Sequence, residues 1–149
     1  IAGYVVAEPF GAQSVALGKG KVLYQSDELW TDSVDWALIL HNDFIEKDKE
    51  LVQEFMNSYV EAGKEAEKKD QHVHDVASEY MKVNEEVMNL SLKWISYDDL
   101  KIPEDSYHEL SSYLQEMGLS ENPPSYEEFV DNTFIDKAKW LNENATENY

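Results

Sequence analysis

The chain has 149 residues, enough for one domain with a real core and short for two. Lysine and arginine total 12 against 31 aspartates and glutamates, a formal net charge of −19, which makes nucleic acid and anionic membrane poor partners because phosphate binding needs a basic footprint. Cysteine is absent, which excludes disulfides, thiolate metal sites and thiol nucleophiles, and charges interrupt every apolar run before it reaches membrane-spanning length, so the ordered part should be soluble.

The chain opens on Ile1 with neither an initiator methionine nor a basic-then-apolar leader, and so reads as a fragment or a processed product. Residues 3–7 read as a strand, because Val5 and Val6 are β-branched and flanked by aromatics. The strand ends in Glu8, and Pro9 is pre-organised for the first turn of a short helix over 9–17. A carboxylate at a strand end lies where open α/β sheets place their ligands, so Glu8 reads either as the rim of a small-molecule site or as a cap on the following helix. A second strand is expected over 21–25, and a third over 36–41 (Trp36-Ala37-Leu38-Ile39-Leu40-His41), apolar throughout and buried on both faces. The first forty residues thus have α/β character.

From Asp43 onward the periodicity is helical. Leu51, Phe55, Tyr59 and Ala62, with Val52, Met56, Val60 and Gly63 beside them, form a wide apolar stripe opposite Glu50, Glu54, Glu61, Lys64 and Glu65. Asp48 is the expected N-cap, after a turn at 46–48. Three amphipathic helices follow, each with a core-facing stripe: Val73, Val76, Ala77 and Tyr80; then Val87, Leu90, Ser91 and Trp94, capped by Asn84; then Tyr107, Leu110, Tyr113, Leu114 and Met117, with Pro103 in its first turn and Gly118 as its C-terminal cap. Asn122-Pro123-Pro124 is a break. Ser125 and Glu128 form a capping-box pattern, a last helix spans 134–141, and residues 142–149 read as a frayed tail. Trp94 and Trp140 sit on helical stripes and read as core.

Catalytic and metal motifs are weak. His72-x-His74 with Asp75 has residues two apart on a helix, which point to different faces, so solvent-facing histidines are expected and no metal site is assigned. His41 and His108 have no evident partner, and neither a Gly-x-Ser-x-Gly elbow nor a phosphate-cradling glycine loop occurs.

From Gly3 to about Lys139 the chain resembles the C-terminal half of the solute-binding proteins of bacterial ABC importers, in the NMT1/THI5-like group that handles nitrate, sulfonates, taurine and thiamine-pyrimidine precursors. The resemblance is carried by Val5-Val6-Ala7-Glu8-Pro9-Phe10, by the spacing of some thirty residues to Trp36–Leu40, and by Asp43-Phe44-Ile45 followed by Glu50-Leu51-Val52-Gln53-Glu54-Phe55. Ile95-Ser96-Tyr97-Asp98-Asp99-Leu100 and Phe134-Ile135-Asp136-Lys137-Ala138 extend it over nearly the whole chain. It implies part of a two-lobe α/β fold of the type II periplasmic-binding-protein kind. Residues 1–34 would end the second lobe, 35–41 would form the returning crossover strand, and 42–141 would be the helical C-terminal part of the first lobe.

The implied function is non-catalytic: lobe closure on a small solute outside the cytoplasmic membrane, in the periplasm or on a lipid-anchored lipoprotein, followed by docking on the permease. By resemblance the ligand contacts are Glu8 with Pro9, and the loop holding Trp30, Thr31, Asp32, Ser33, Asp35 and Trp36, in which tryptophan offers a flat wall for a heterocycle. Trp36 reads equally as core. Glu8 and the acidic loop fit a ligand bearing an amine or ring nitrogens better than a bare anion. The implied partners are the solute, the ABC permease and the N-terminal half of the same protein. Strand edges left without that half would favour self-association or pairing with the missing half. No cofactor is implied.

Two other readings compete. A pyrimidine-precursor synthase of the same superfamily carries a cysteine-rich run before the strand matching Trp36–Leu40, where this chain has Asp32-Ser33-Val34-Asp35-Trp36. An acidic helical interaction module would suit the charge but leaves the strand, acid and proline element unexplained.

Overall fold

The computed structural model of the chain describes residues 1–34 and 36–145, with backbone alone at 142, 144 and 145. In chain order the helices are α1 (Phe10–Ala16), α2 (Ser26–Leu29), α3 (Asn42–Lys47), α4 (Lys49–Glu67), α5 (Gln71–Tyr80), α6 (Glu85–Trp94), α7 (Glu104–Glu116), α8 (Tyr126–Phe129) and α9 (Thr133–Ala145). Their ends follow local chemistry. Asp48, Asp70 and Asn84 each accept from the backbone N–H three residues on, and Ser125 with Glu128 forms the reciprocal capping box. Gly118, at φ 67°, closes α7 while Leu119 N donates to Leu114 O, the left-handed C-terminal cap that only glycine adopts without strain. Pro103 lies one residue earlier than expected, at the N-cap itself.

The chain divides into two compact units, residues 1–25 with 62–99, and residues 26–61 with the chain from Leu100 onward. In the first, α6 is the central helix: α1 and α5 both pack on it. Ala12, Val87, Met88, Ser91 and Leu92 are buried there. Ala12 is the α1 residue at the interface, and a side chain of one methyl lets two helices approach closely. In the second unit Val52, Met56 and Val60 of α4 meet Ile135 and Ala138 of α9, with Leu40, Ile45, Tyr59, Leu100 and Phe134 around them. Gln53 Nε2 donates to Phe134 O at 3.0 Å, tying the two helices by backbone as well as by packing. Around α7, Tyr107 stacks on Phe129 at 5.2 Å and meets Tyr126 edge-on at 5.7 Å.

Several expectations are corrected. Among the described residues the chain is mainly α-helical, as the periodicity from Asp43 onward implies, and the three short strands expected do not form: 3–7, 21–25 and 36–41 carry neither helix nor ladder. A strand exists only through bonds to a neighbouring backbone, which β-branched composition cannot supply. The stretch expected to be buried on both faces has Trp36 79% and Ile39 82% exposed, with Leu40 alone packed on the core. The α5 stripe buries no residue, Tyr80 being exposed, and Trp140 is exposed rather than core. On α4 the buried line is Val52, Met56, Val60 and Gly63, while Leu51 and Phe55 lie outside it. The last helix continues past Leu141 to Ala145, and α2 has no counterpart in the periodicity because four residues are too few to show one.

One joint in the first unit is sensitive to acid. Glu67, at the end of α4, accepts from Tyr97 N at 2.7 Å and pairs with Lys69 at 3.3 Å. The Tyr97 amide, aided by Lys69 and opposed by burial, holds its carboxyl below the ordinary 4.5. A depressed folded pKa gives stability that is present above the unfolded value and lost as pH falls through the folded one. Unfolding free energy should therefore decline from about pH 5 downward, and Glu67→Gln should flatten part of that decline in urea titrations. An unchanged acid slope in the variant would remove Glu67 from the account.

Candidate functional site

Glu8 lies where two helices of the first unit meet. The carboxylate lies half-buried between helices: Oε2 accepts from Ala12 N at 3.1 Å, inside the first turn of α1, and from Ser91 Oγ at 3.0 Å on α6. It caps α1 and clamps it to α6. Ser91 is fully buried, so this bond is the outlet for its hydroxyl proton. A Cβ at position 11 would sit 2.6 Å from Glu8 Oε1, so Gly11 is what allows the carboxylate to fold back over the helix start. Pro9 occupies the N-cap of α1, after a cis peptide bond from Glu8.

Trp30 and Trp36 lie in the second unit and converge on one place. Together with Ser106, Tyr107 and Leu110 of α7 and Phe129 of α8 they line a cavity of about 150 Å³. Its wall is almost wholly aromatic and aliphatic. The indole Nε1 of Trp30 donates to Ser106 Oγ at 2.9 Å, which fixes the ring plane, and Tyr107 is held by its hydroxyl donating to Pro124 O at 2.8 Å. Trp36 stands at the mouth with most of its surface open. A volume of about 150 Å³ is the size that accommodates a benzene-sized ring. Asp32 takes a left-handed conformation, φ 54°, in the loop between the two tryptophans, and Asp35 lies outside the described residues.

The expected site residues therefore fall into two groups, Glu8 with Pro9 in one unit and Trp30 with Trp36 in the other. Ser106, Tyr107, Leu110 and Phe129 were not singled out as site residues. Tyr107 and Leu110 read as an ordinary helical stripe, and nothing in that pattern says that the stripe faces a tryptophan seventy residues upstream. A second, wider groove of about 580 Å³ runs beside α3, α4 and α9, with Lys49, Glu50, Glu54, Asp131 and Lys137 along it. Of these, the sequence pattern places Glu50 and Glu54 opposite the apolar stripe of α4.

The histidines find local work. His41 Nδ1 accepts from Asp43 N at 3.2 Å, capping α3, and His108 lies 3.4 Å from Glu104. Among the described residues no group of three or more His, Cys, Asp or Glu is placed to hold a metal ion, and no helix is long and apolar enough to cross a membrane.

The sequence pattern of the NMT1-like family matches residues 1–80. No curated protein matches the chain significantly. Among solved structures, the 2.0 Å crystal structure of a ligand-binding component of an ABC-type import system from Staphylococcus aureus, with zinc bound, superposes with a TM-score of 0.81 at 32% sequence identity. The likeness covers 89% of this chain and 45% of that protein, so the chain spans less than half of the relative's length.

Proposed function

The chain belongs to the NMT1-like family, and from that premise we propose that it acts as part of the ligand-binding component of an ABC-type importer, holding a small solute outside the cytoplasmic membrane and presenting it to the permease. The observation that carries this reading is the backbone likeness to the S. aureus import component at 32% identity. The role is binding rather than catalysis.

The solute we assign is one with a planar ring, of the pyrimidine-precursor kind rather than taurine, alkyl sulfonate or nitrate. What supports this is the aromatic cavity, whose walls offer ring faces and the hydroxyls of the buried Ser106 and Tyr107 but no cation for a sulfonate or nitrate. Trp30 and Trp36 supply the stacking faces, and Asp35 is kept as a proposed partner for an amine. Glu8 and Pro9 are kept as rim residues whose position is set by the α1–α6 clamp.

Thermal denaturation against a pyrimidine precursor, taurine, an alkyl sulfonate and nitrate tests the assignment. A ring-bearing compound at a hundredfold excess over Kd should add about 2.7 kcal/mol to the unfolding free energy and raise the melting temperature. Trp36→Ala, which removes an exposed stacking face and no core packing, should weaken that ligand about tenfold. A shift with nitrate or a sulfonate instead, or one unaffected by Trp36→Ala, would overturn the ring assignment.

A further inference from the structure

Ser106 holds a buried hydrogen-bond donor that the protein does not use. It lies in the first turn of α7, is 4% exposed, and lines the aromatic cavity of the second unit. Its Oγ accepts the indole N–H of Trp30 at 2.9 Å, which satisfies the oxygen but leaves its own proton to be placed. A helical serine commonly sends that proton to the carbonyl four residues back. Ser58, Ser78 and Ser112 of this chain do so, to Glu54 O, His74 O and His108 O at 3.1, 2.7 and 2.9 Å. For Ser106 that carbonyl belongs to Ile102, and it receives the Tyr126 hydroxyl at 2.6 Å instead. Among the described residues the Ser106 hydroxyl has no acceptor.

The other buried hydroxyl on this wall is committed, since Tyr107 donates to Pro124 O at 2.8 Å. Buried polar groups are nearly always paired, so what the cavity lacks is a lone pair opposite Ser106. Water supplies one poorly, because a buried water needs several polar partners and rings and aliphatic groups make up most of the wall. We propose that the ring of the solute carries a neutral acceptor, a ring nitrogen or a ring carbonyl, which receives the Ser106 hydroxyl, and that Ser106 is thereby the residue that selects a heterocycle over a carbocycle of the same size. The bonds run in one direction, from Trp30 Nε1–H to Ser106 Oγ and from Ser106 O–H to the ring. Donation by the indole polarises the hydroxyl and makes it a better donor. A ring offering only N–H at that point would leave the hydroxyl proton unpaired, so Trp30 both forms a wall and sets the polarity of the site. This inference deepens the solute reading and rests on it.

Pyrimidine and benzene, alike in size and different in acceptors, provide the test. Dissociation constants are measured by NMR titration of the full chain at the indole N–H signals, for the unaltered sequence and for Ser106→Ala. Benzene is the control for packing, because any shift of Trp30 on losing its acceptor alters the wall for both rings. The loss for pyrimidine divided by the loss for benzene should be about tenfold. Ser106→Cys fills nearly the same space with a much weaker donor and should weaken pyrimidine in the same direction. It carries the test should the alanine variant lose the helical circular dichroism of the chain. Equal losses for the two rings, or no loss for pyrimidine, would overturn the role of Ser106 while leaving the cavity a ring site. Failure of both rings to bind the unaltered chain would instead remove the ring assignment itself, and this inference with it.

Discussion

Glu8→Ala should destabilise the chain by about 2–4 kcal/mol, read as a lower urea midpoint with an unchanged slope. The reason is that one oxygen serves two donors: Oε2 accepts from Ala12 N at 3.1 Å and from Ser91 Oγ at 3.0 Å. Truncation leaves the α1 start uncapped, costing about 1 kcal/mol, and strands a hydroxyl on a fully buried residue, costing about 1–3 kcal/mol more. Glu8→Gln keeps an acceptor at the same reach and should cost about half as much or less. Ser91→Ala in the Glu8→Ala background should then cost little, giving a coupling energy of about 1 kcal/mol or more in a double-mutant cycle. Gly11→Ala should reproduce part of the loss, since its methyl would displace the carboxylate from its place 2.6 Å away. Additive effects of Glu8 and Ser91 would mean that the clamp does not hold α1 to α6.

The second large effect is expected at Tyr107. The residue is 7% exposed; its ring lies 5.2 Å from Phe129 and 5.7 Å from Tyr126, and forms one wall of the aromatic cavity. Tyr107→Ala should cost about 3–5 kcal/mol, because transfer free energy is lost and the surrounding rings collapse only partly into the space. Tyr107→Phe removes only the 2.8 Å bond to Pro124 O and should cost about 1 kcal/mol. Equal losses in the two variants would show that the hydroxyl, not ring packing, holds this region. The pair also separates stability from binding: the phenylalanine variant keeps the wall and should keep a ring-bearing solute, whereas the alanine variant enlarges the cavity and should lose it.

Helix positions were legible in the sequence because their signals are local. Asn84 and Asp48 cap their helices through the third residue onward, Ser125 and Glu128 bond each other, and Gly118 supplies a left-handed residue. Each of these depends on atoms within a few positions. Burial was legible less well. The α4 stripe is wide, and which of its lines faces inward is decided by where α9 lies; that line is Val52, Met56 and Val60. Trp140 and Tyr80 sit on apolar stripes and are exposed, since a stripe records what a helix could bury and not what is there to bury it against.

The site divides in the same way. The sequence placed Glu8 at a helix start, and capping was one of its two readings. Only the tertiary structure could supply Ser91, 83 positions away, and so make the acid a clamp. The sequence put Trp30 and Trp36 in one loop, while Ser106, 76 positions from Trp30, and Phe129 arrive through the packing of α7 and α8. By itself, then, the sequence determined the charge, the absence of thiol chemistry, the helix ends and the family resemblance, all of which are written in composition or in short-range spacing. The tertiary structure alone decided which apolar faces are covered, which polar atoms meet across long separations, and that the strand-like segments remain unpaired, because each of these depends on a partner distant in the chain or outside it.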